Sequence, residues 1–119
     1  MSTAIAPAQS VTDPCEMSSC APLAEERIDA AGADRLAAAL KAIADPARLR
    51  VISYIAGSPD HDVCVGDLVD LLGLSQGTVS HHLKVLVDAG FLTRSKRATY
   101  SYYALVPSTL DELSRVLLT

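Results

Sequence analysis

The 119-residue chain carries three cysteines and three histidines, the side chains best suited to hold a soft metal or metalloid ion. Cys15 and Cys20 lie in DPCEMSSCAP, Cys64 stands alone in DVCVGD, and His81 and His82 are adjacent in SQGTVSHHLKVL. Three thiols cannot all pair within one chain, and a reducing cytosol keeps them free. Free thiols there serve as metal ligands, as redox sensors or as small buried hydrophobes. Cys15 and Cys20 sit in a polar, aperiodic stretch with no core of its own, so ligation, or closure of a Cys15–Cys20 disulfide, is the chemistry open to them. The histidines point elsewhere. Neighbouring side chains on a helix diverge by about 100°, so one ion cannot readily take both, and helical histidine pairs that bind metal are spaced i, i+4.

The elements that must position these residues are mostly helical. Half of the chain is hydrophobic by type, with no Trp and one Phe, and Leu, Val and Ala dominate. The length suits one domain with a modest core. No apolar run is long enough to span a membrane and the first residues lack a signal-peptide pattern, so a cytoplasmic protein is expected. Residues 1–28 read as an N-terminal arm and 29–119 as the folded domain. A first helix starts at Asp29 or Asp34, carries Leu36, Leu40 and Ile43, and ends at Ala44-Asp45 ahead of Pro46. Asp45 caps a second helix with Leu49, Ile52, Ile55 and Ala56 turned inward, stopping at Gly57. Residues 58–63, SPDHDV, form a loop. A short helix near Val65–Leu72 closes at Gly73; Ser75 caps a longer one running to about Ala89, with Gly90 as its left-handed end. Phe91–Lys96 and Thr99–Val106 make a hairpin around a basic turn. Ser108 caps a last helix with Leu110, Leu113 and Leu117. The expected fold is mainly α with a small β-hairpin, in the order α-α-α-α-β-β-α. It is a winged helix-turn-helix pivoting on Gly73-Leu74-Ser75. Apolar stripes on the first and last helices exceed what a small core needs, and a homodimer is expected.

Net charge is −4, which argues weakly against nucleic acid, but residues 75–103 carry Lys84, Arg94, Lys96 and Arg97 against Asp88 alone. A phosphate backbone would meet that local field. In the helix after Ser75, Val79, Leu83, Leu86 and Val87 share the face expected to pack on the core. Gly77, His81, Lys84 and Asp88 lie opposite, flanked by Gln76, Thr78 and Ser80, and small polar groups near the start of a second helix suit a major groove. The expected DNA contacts are therefore Gln76, Gly77, Thr78, Ser80, His81 and Lys84 on the helix, with Arg94, Lys96 and Arg97 on the wing. His82 faces inward as a hydrogen-bonded packing residue, and Tyr100, Tyr102 and Tyr103 pack within the hairpin. No Ser-His-Asp set, carboxylate pair or Gly-rich phosphate loop appears, so no enzyme is expected.

AIADPARLRVI, LVDLLGLSQGTVSHHLKVLVDAGFL and RATYSYYALVP together resemble the ArsR/SmtB family of metal-responsive repressors over roughly residues 34–107. The resemblance implies a homodimeric winged helix-turn-helix that represses a resistance or efflux operon and leaves double-stranded operator DNA when a toxic ion binds. Family sensing sites on the C-terminal helix need Asp and His, whereas here that helix reads STLDELSRVLLT. In the site beside the reading head, Cys64 matches the first cysteine of a CVC-type pair and Gly66 stands at the second. Some arsenic-sensing relatives, chiefly actinobacterial, are similar in pairing arm cysteines with one cysteine at the reading head. That resemblance implies Cys15, Cys20 and Cys64 as ligands, a set that suits As(III) or Sb(III), whose lone pair leaves three bonding directions. Cadmium or lead would also accept soft thiolates, and zinc would need a fourth ligand such as His61 or Asp62. A thiol-redox sensor of the same fold and a winged-helix protein-interaction module are the alternatives.

Overall fold

The computed structural model describes residues 27–117. Asp29 opens the first helix by accepting the Gly32 N–H at 2.7 Å, and α1 then runs Ala30–Ile43. The remaining elements are α2 (Pro46–Ala56), β1 (Asp62–Cys64), α3 (Val65–Leu72), α4 (Gln76–Asp88), β2 (Leu92–Arg97), β3 (Tyr100–Leu105) and α5 (Pro107–Leu117). The chain divides into two compact units. One is Ala38–Val106; the other, among the described residues, joins 27–37 with 107–117.

In the Ala38–Val106 unit, α2, α3 and α4 pack on one another and on a three-stranded antiparallel sheet of order β1-β3-β2. Val51, Ile55, Leu68, Val79, Leu83, Leu86 and Phe91 are fully buried, joined by Val63 and Tyr103 from the inner face of the sheet. Asp45 caps α2, its carboxylate accepting the N–H groups of Ala47 and Arg48, which are otherwise unpaired in a first helical turn.

The expected order of helices, turn and wing is present, with several local differences. Residues 58–63 are not all loop: Asp62–Cys64 pairs with β3 as Asp62↔Ala104, Val63↔Tyr103 and Cys64↔Tyr102. Three residues are too few for alternation to register, and the partner strand lies some forty positions away. In α2, Leu49 is 52% exposed and Val51 is buried in its place; PARLRVISYIA holds two overlapping apolar stripes, and only one can face the core. Ile52 and Ile55 are buried as expected, while Ala56 is exposed. In α1 the buried side chains are Ala39 and Ala42, with Leu36, Leu40 and Ile43 only half-buried. Pro107, rather than following a cap, is itself the first residue of α5, so Ser108 lies inside the helix. In the other unit, Leu113 and Val116 of α5 are buried and Leu117 is exposed. Among the described residues, no helix is long and apolar enough to cross a membrane.

Candidate nucleic-acid interface and thiol position

The reading head is set by its turn. Gly73 adopts φ +66 and donates its N–H to the Val69 carbonyl, closing α3 in the left-handed geometry that glycine takes without steric cost. Two residues later Ser75 caps α4, its Oγ accepting the Thr78 N–H at 3.2 Å and donating to Thr78 Oγ1 at 2.9 Å. Val79, Leu83 and Leu86 are completely buried and lock the rotation of α4. That rotation leaves Gln76, Gly77, Thr78, Ser80, His81 and Lys84 exposed. Lys84 Nζ meets Asp88 Oδ2 at 3.0 Å, but both side chains are mostly in water, where such a pair is weak and exchanges readily.

His81 and His82 part company as the helical geometry demands. His82 retains 14% side-chain exposure, and its Nδ1 lies 3.0 Å from Arg48 Nη1. Guanidinium has donors only, so Nδ1 accepts and the ring proton resides on Nε2. Arg48 also donates through Nε to the Ala42 carbonyl at 2.7 Å. Asp45 Oδ2 is 3.9 Å from His82 Nδ1. The Arg48 backbone N–H, opposed by partial desolvation and reinforced by the charge of Arg48, holds the Asp45 carboxyl below the usual carboxylate range. This cluster fastens α4 to the α1–α2 junction. His82→Ala strands a partly buried guanidinium N–H and should lower unfolding free energy by about 1–3 kcal/mol, read by urea denaturation. His82→Gln, which keeps an acceptor, should recover part of the loss.

On the wing, register divides the basic residues. Arg94 pairs across from Tyr103 and Lys96 from Ser101, while Arg97 pairs across from Tyr100, so Arg94 and Lys96 share one face and Arg97 occupies the other. Arg94 Nη2 donates to Ser101 Oγ at 3.0 Å. Arg97 Nη2 donates to Asp62 Oδ2, and its guanidinium carbon lies 4.3 Å from the centroid of the Tyr102 ring. Tyr103 is buried and Tyr102 half-buried, but Tyr100 is 59% exposed and is not a packing residue of the hairpin. Reading the sequence offered Asp62 only as a fourth zinc ligand and missed its pairing: an aspartate in an apparent loop carries no sign that it meets an arginine 35 positions on.

Cys64 ends β1 and stands at the N-cap of α3, half-buried, and its side chain makes no capping bond. Cys15 and Cys20 lie outside the described residues. Among the described residues, no group of three or more His, Cys, Asp or Glu is placed to hold a metal ion. Of the two residues considered as a fourth zinc ligand, Asp62 is engaged by Arg97, and His61 is exposed at φ +52.

The family described as "Bacterial regulatory protein, arsR family" matches residues 45–94, from the cap of α2 into β2. An arsenical resistance operon repressor of Staphylococcus xylosus is 33% identical over 80 residues, covering 67% of this chain and 74% of that protein. The crystal structure of the antimony-specific transcriptional repressor AntR is similar at TM-score 0.62 and 29% identity, covering 75% of this chain and 79% of that one. The solution structure of a homodimeric winged helix-turn-helix DNA-binding domain from Mycobacterium bovis superposes at TM-score 0.63 with 22% identity, over 75% of this chain and 81% of that one, and so shares the fold. With the capped turn, the wing and the 33% identity to a repressor covered over most of its length, the chain belongs to the arsR family of bacterial regulatory proteins.

Proposed function

We propose that the protein is a homodimeric, cytoplasmic, DNA-binding repressor that senses As(III) or Sb(III) through Cys15, Cys20 and Cys64 and leaves its operator when the ion binds, derepressing a resistance operon. The observation that carries this reading is the place of Cys64. Its thiol takes no part in capping α3, and α3 leads through Gly73–Ser75 directly into the exposed polar face of α4. An ion held there acts at the root of the reading head. Engagement of Asp62 by Arg97 removes one fourth ligand that zinc would need and favours a three-coordinate ion. The S. xylosus relative is named an arsenical resistance operon repressor and AntR an antimony-specific transcriptional repressor, and the M. bovis domain is a homodimer. A dimer would place two copies of α4 in successive major grooves, about one helical turn apart. The test is DNA binding by fluorescence anisotropy, on a duplex the protein selects from a random pool, with arsenite titrated in and ion stoichiometry measured alongside. Release at one ion per three thiols is the expected result.

Arg94 and Lys96 supply the sequence-tolerant part of the affinity. Each alanine substitution should flatten the slope of log K against log salt by about 0.9, the counterion released per phosphate contact, in the same anisotropy assay.

A further inference from the structure

We propose that Asp62 holds Arg97 away from the DNA phosphates and makes it a strut that ties the wing to the strand carrying Cys64. The order β1-β3-β2 puts β1 and β2 at opposite edges. Alternation along paired strands places Asp62 and Cys64 of β1, Tyr102 of β3, and Ser95 and Arg97 of β2 on one face. Arg97 crosses that face diagonally, covering the Tyr102 ring at 4.3 Å and ending on the Asp62 carboxylate, so one side chain spans three strands. Asp62 depends on this contact. Its side chain is 19% exposed, and Oδ1 is buried without a hydrogen-bond partner, which leaves Arg97 as the counter-charge for a carboxylate largely withdrawn from water. The same contact pairs the charge of Arg97, whose own side chain is 57% exposed. Arg94 and Lys96, on the opposite face, meet no carboxylate among the described residues.

Cys64 lies in register with Tyr102, the ring that Arg97 covers. A shift of β1 at Cys64 therefore reaches the wing through the Asp62–Arg97 tie as well as reaching α4 through α3. Asp62 is in this sense a positioning residue for the wing. The proposed function enters only in saying what would move Cys64; the tie itself does not depend on it.

The experiment measures salt-dependent anisotropy on the selected duplex and amide hydrogen exchange of the DNA-free protein. Asp62→Asn, and Asp62→Ala where the acceptor is removed outright, should steepen the slope of log K against log salt by about 0.9 as Arg97 gains a phosphate. Adding Arg97→Ala should remove that gain. Without DNA, Asp62→Ala and Arg97→Ala should each raise exchange across 95–102 several-fold. The proposal is overturned if Arg97→Ala in the wild-type background flattens the slope by the same amount while the Asp62 variants leave it unmoved, because the arginine is then already on a phosphate. Exchange unmoved in both variants overturns the strut. If no duplex is bound by any form, the repressor reading fails, and the exchange comparison alone still decides the tie.

Discussion

Replacing Cys64 by Ser is expected to leave the DNA affinity of the ion-free protein intact and to abolish its release by arsenite. The first half follows from local structure. Cys64 provides no side-chain cap to α3 and is only half-buried, so exchanging sulfur for oxygen removes no bond that holds the reading head. The second half follows from linkage. An ion can displace DNA only by the difference in its affinity for the free and bound forms. For typical allosteric couplings that difference lowers DNA affinity by about 5–150-fold, and a two-thiol remnant has neither the ligand number nor the position at α3 to generate it. Cys15→Ser and Cys20→Ser should behave alike if the arm completes the site. Three thiols displace the three hydroxides of arsenite as water, so the arsenite concentration needed for release should change little with pH below the thiol range, whereas Cd(II), which displaces thiol protons, should be needed at higher concentration as pH falls. Mixed dimers of a Cys15/Cys20 double mutant with a Cys64 mutant test whether the arm reaches across subunits: a shared site gives one working site in the mixture and none in either parent. Retained release by arsenite in both parents would place the sensor elsewhere.

Gly77→Glu should do the converse, strengthening the fold while destroying DNA binding. Gly77 occupies the second position of α4, and a Cβ there meets nothing within 4 Å. Replacing helical glycine with a better helix former stabilises by about 0.5–1 kcal/mol, and a carboxylate in the first turn adds about 0.3–1 kcal/mol through the helix dipole. The same carboxylate would stand beside Ser80 and His81 on the surface proposed to enter the groove, facing base-edge acceptors and phosphates. Losing one good base contact costs about 1–3 kcal/mol, and the like-charge approach adds to it, so affinity should fall by at least about a hundredfold at moderate salt. A higher melting temperature together with lost anisotropy is the expected pair of readings. Unchanged DNA affinity would remove this face of α4 from the interface.

The reading head was legible in the sequence because each of its determinants is local. Asp45 before Pro46, Gly73 in a left-handed turn and Ser75 two residues on act within one helical turn, and the period of Val79, Leu83 and Leu86 alone orients Gly77, His81 and Lys84 outward. The inward turn of His82 was legible on the same ground; the identity of its partner was not, since Arg48 is 34 positions away. Placing Leu49 inward in α2 was wrong, because periodicity offers two stripes and only the neighbouring helices and sheet select the one that holds Val51. β1 was invisible because a three-residue strand has no period of its own and exists by virtue of β3. With β1 unseen, Arg97 read as one more cation on the wing. Strand order and register place it instead across Tyr102 on Asp62, since which charges meet is decided by which strands lie side by side, and that pairing is a long-range property no local pattern carries.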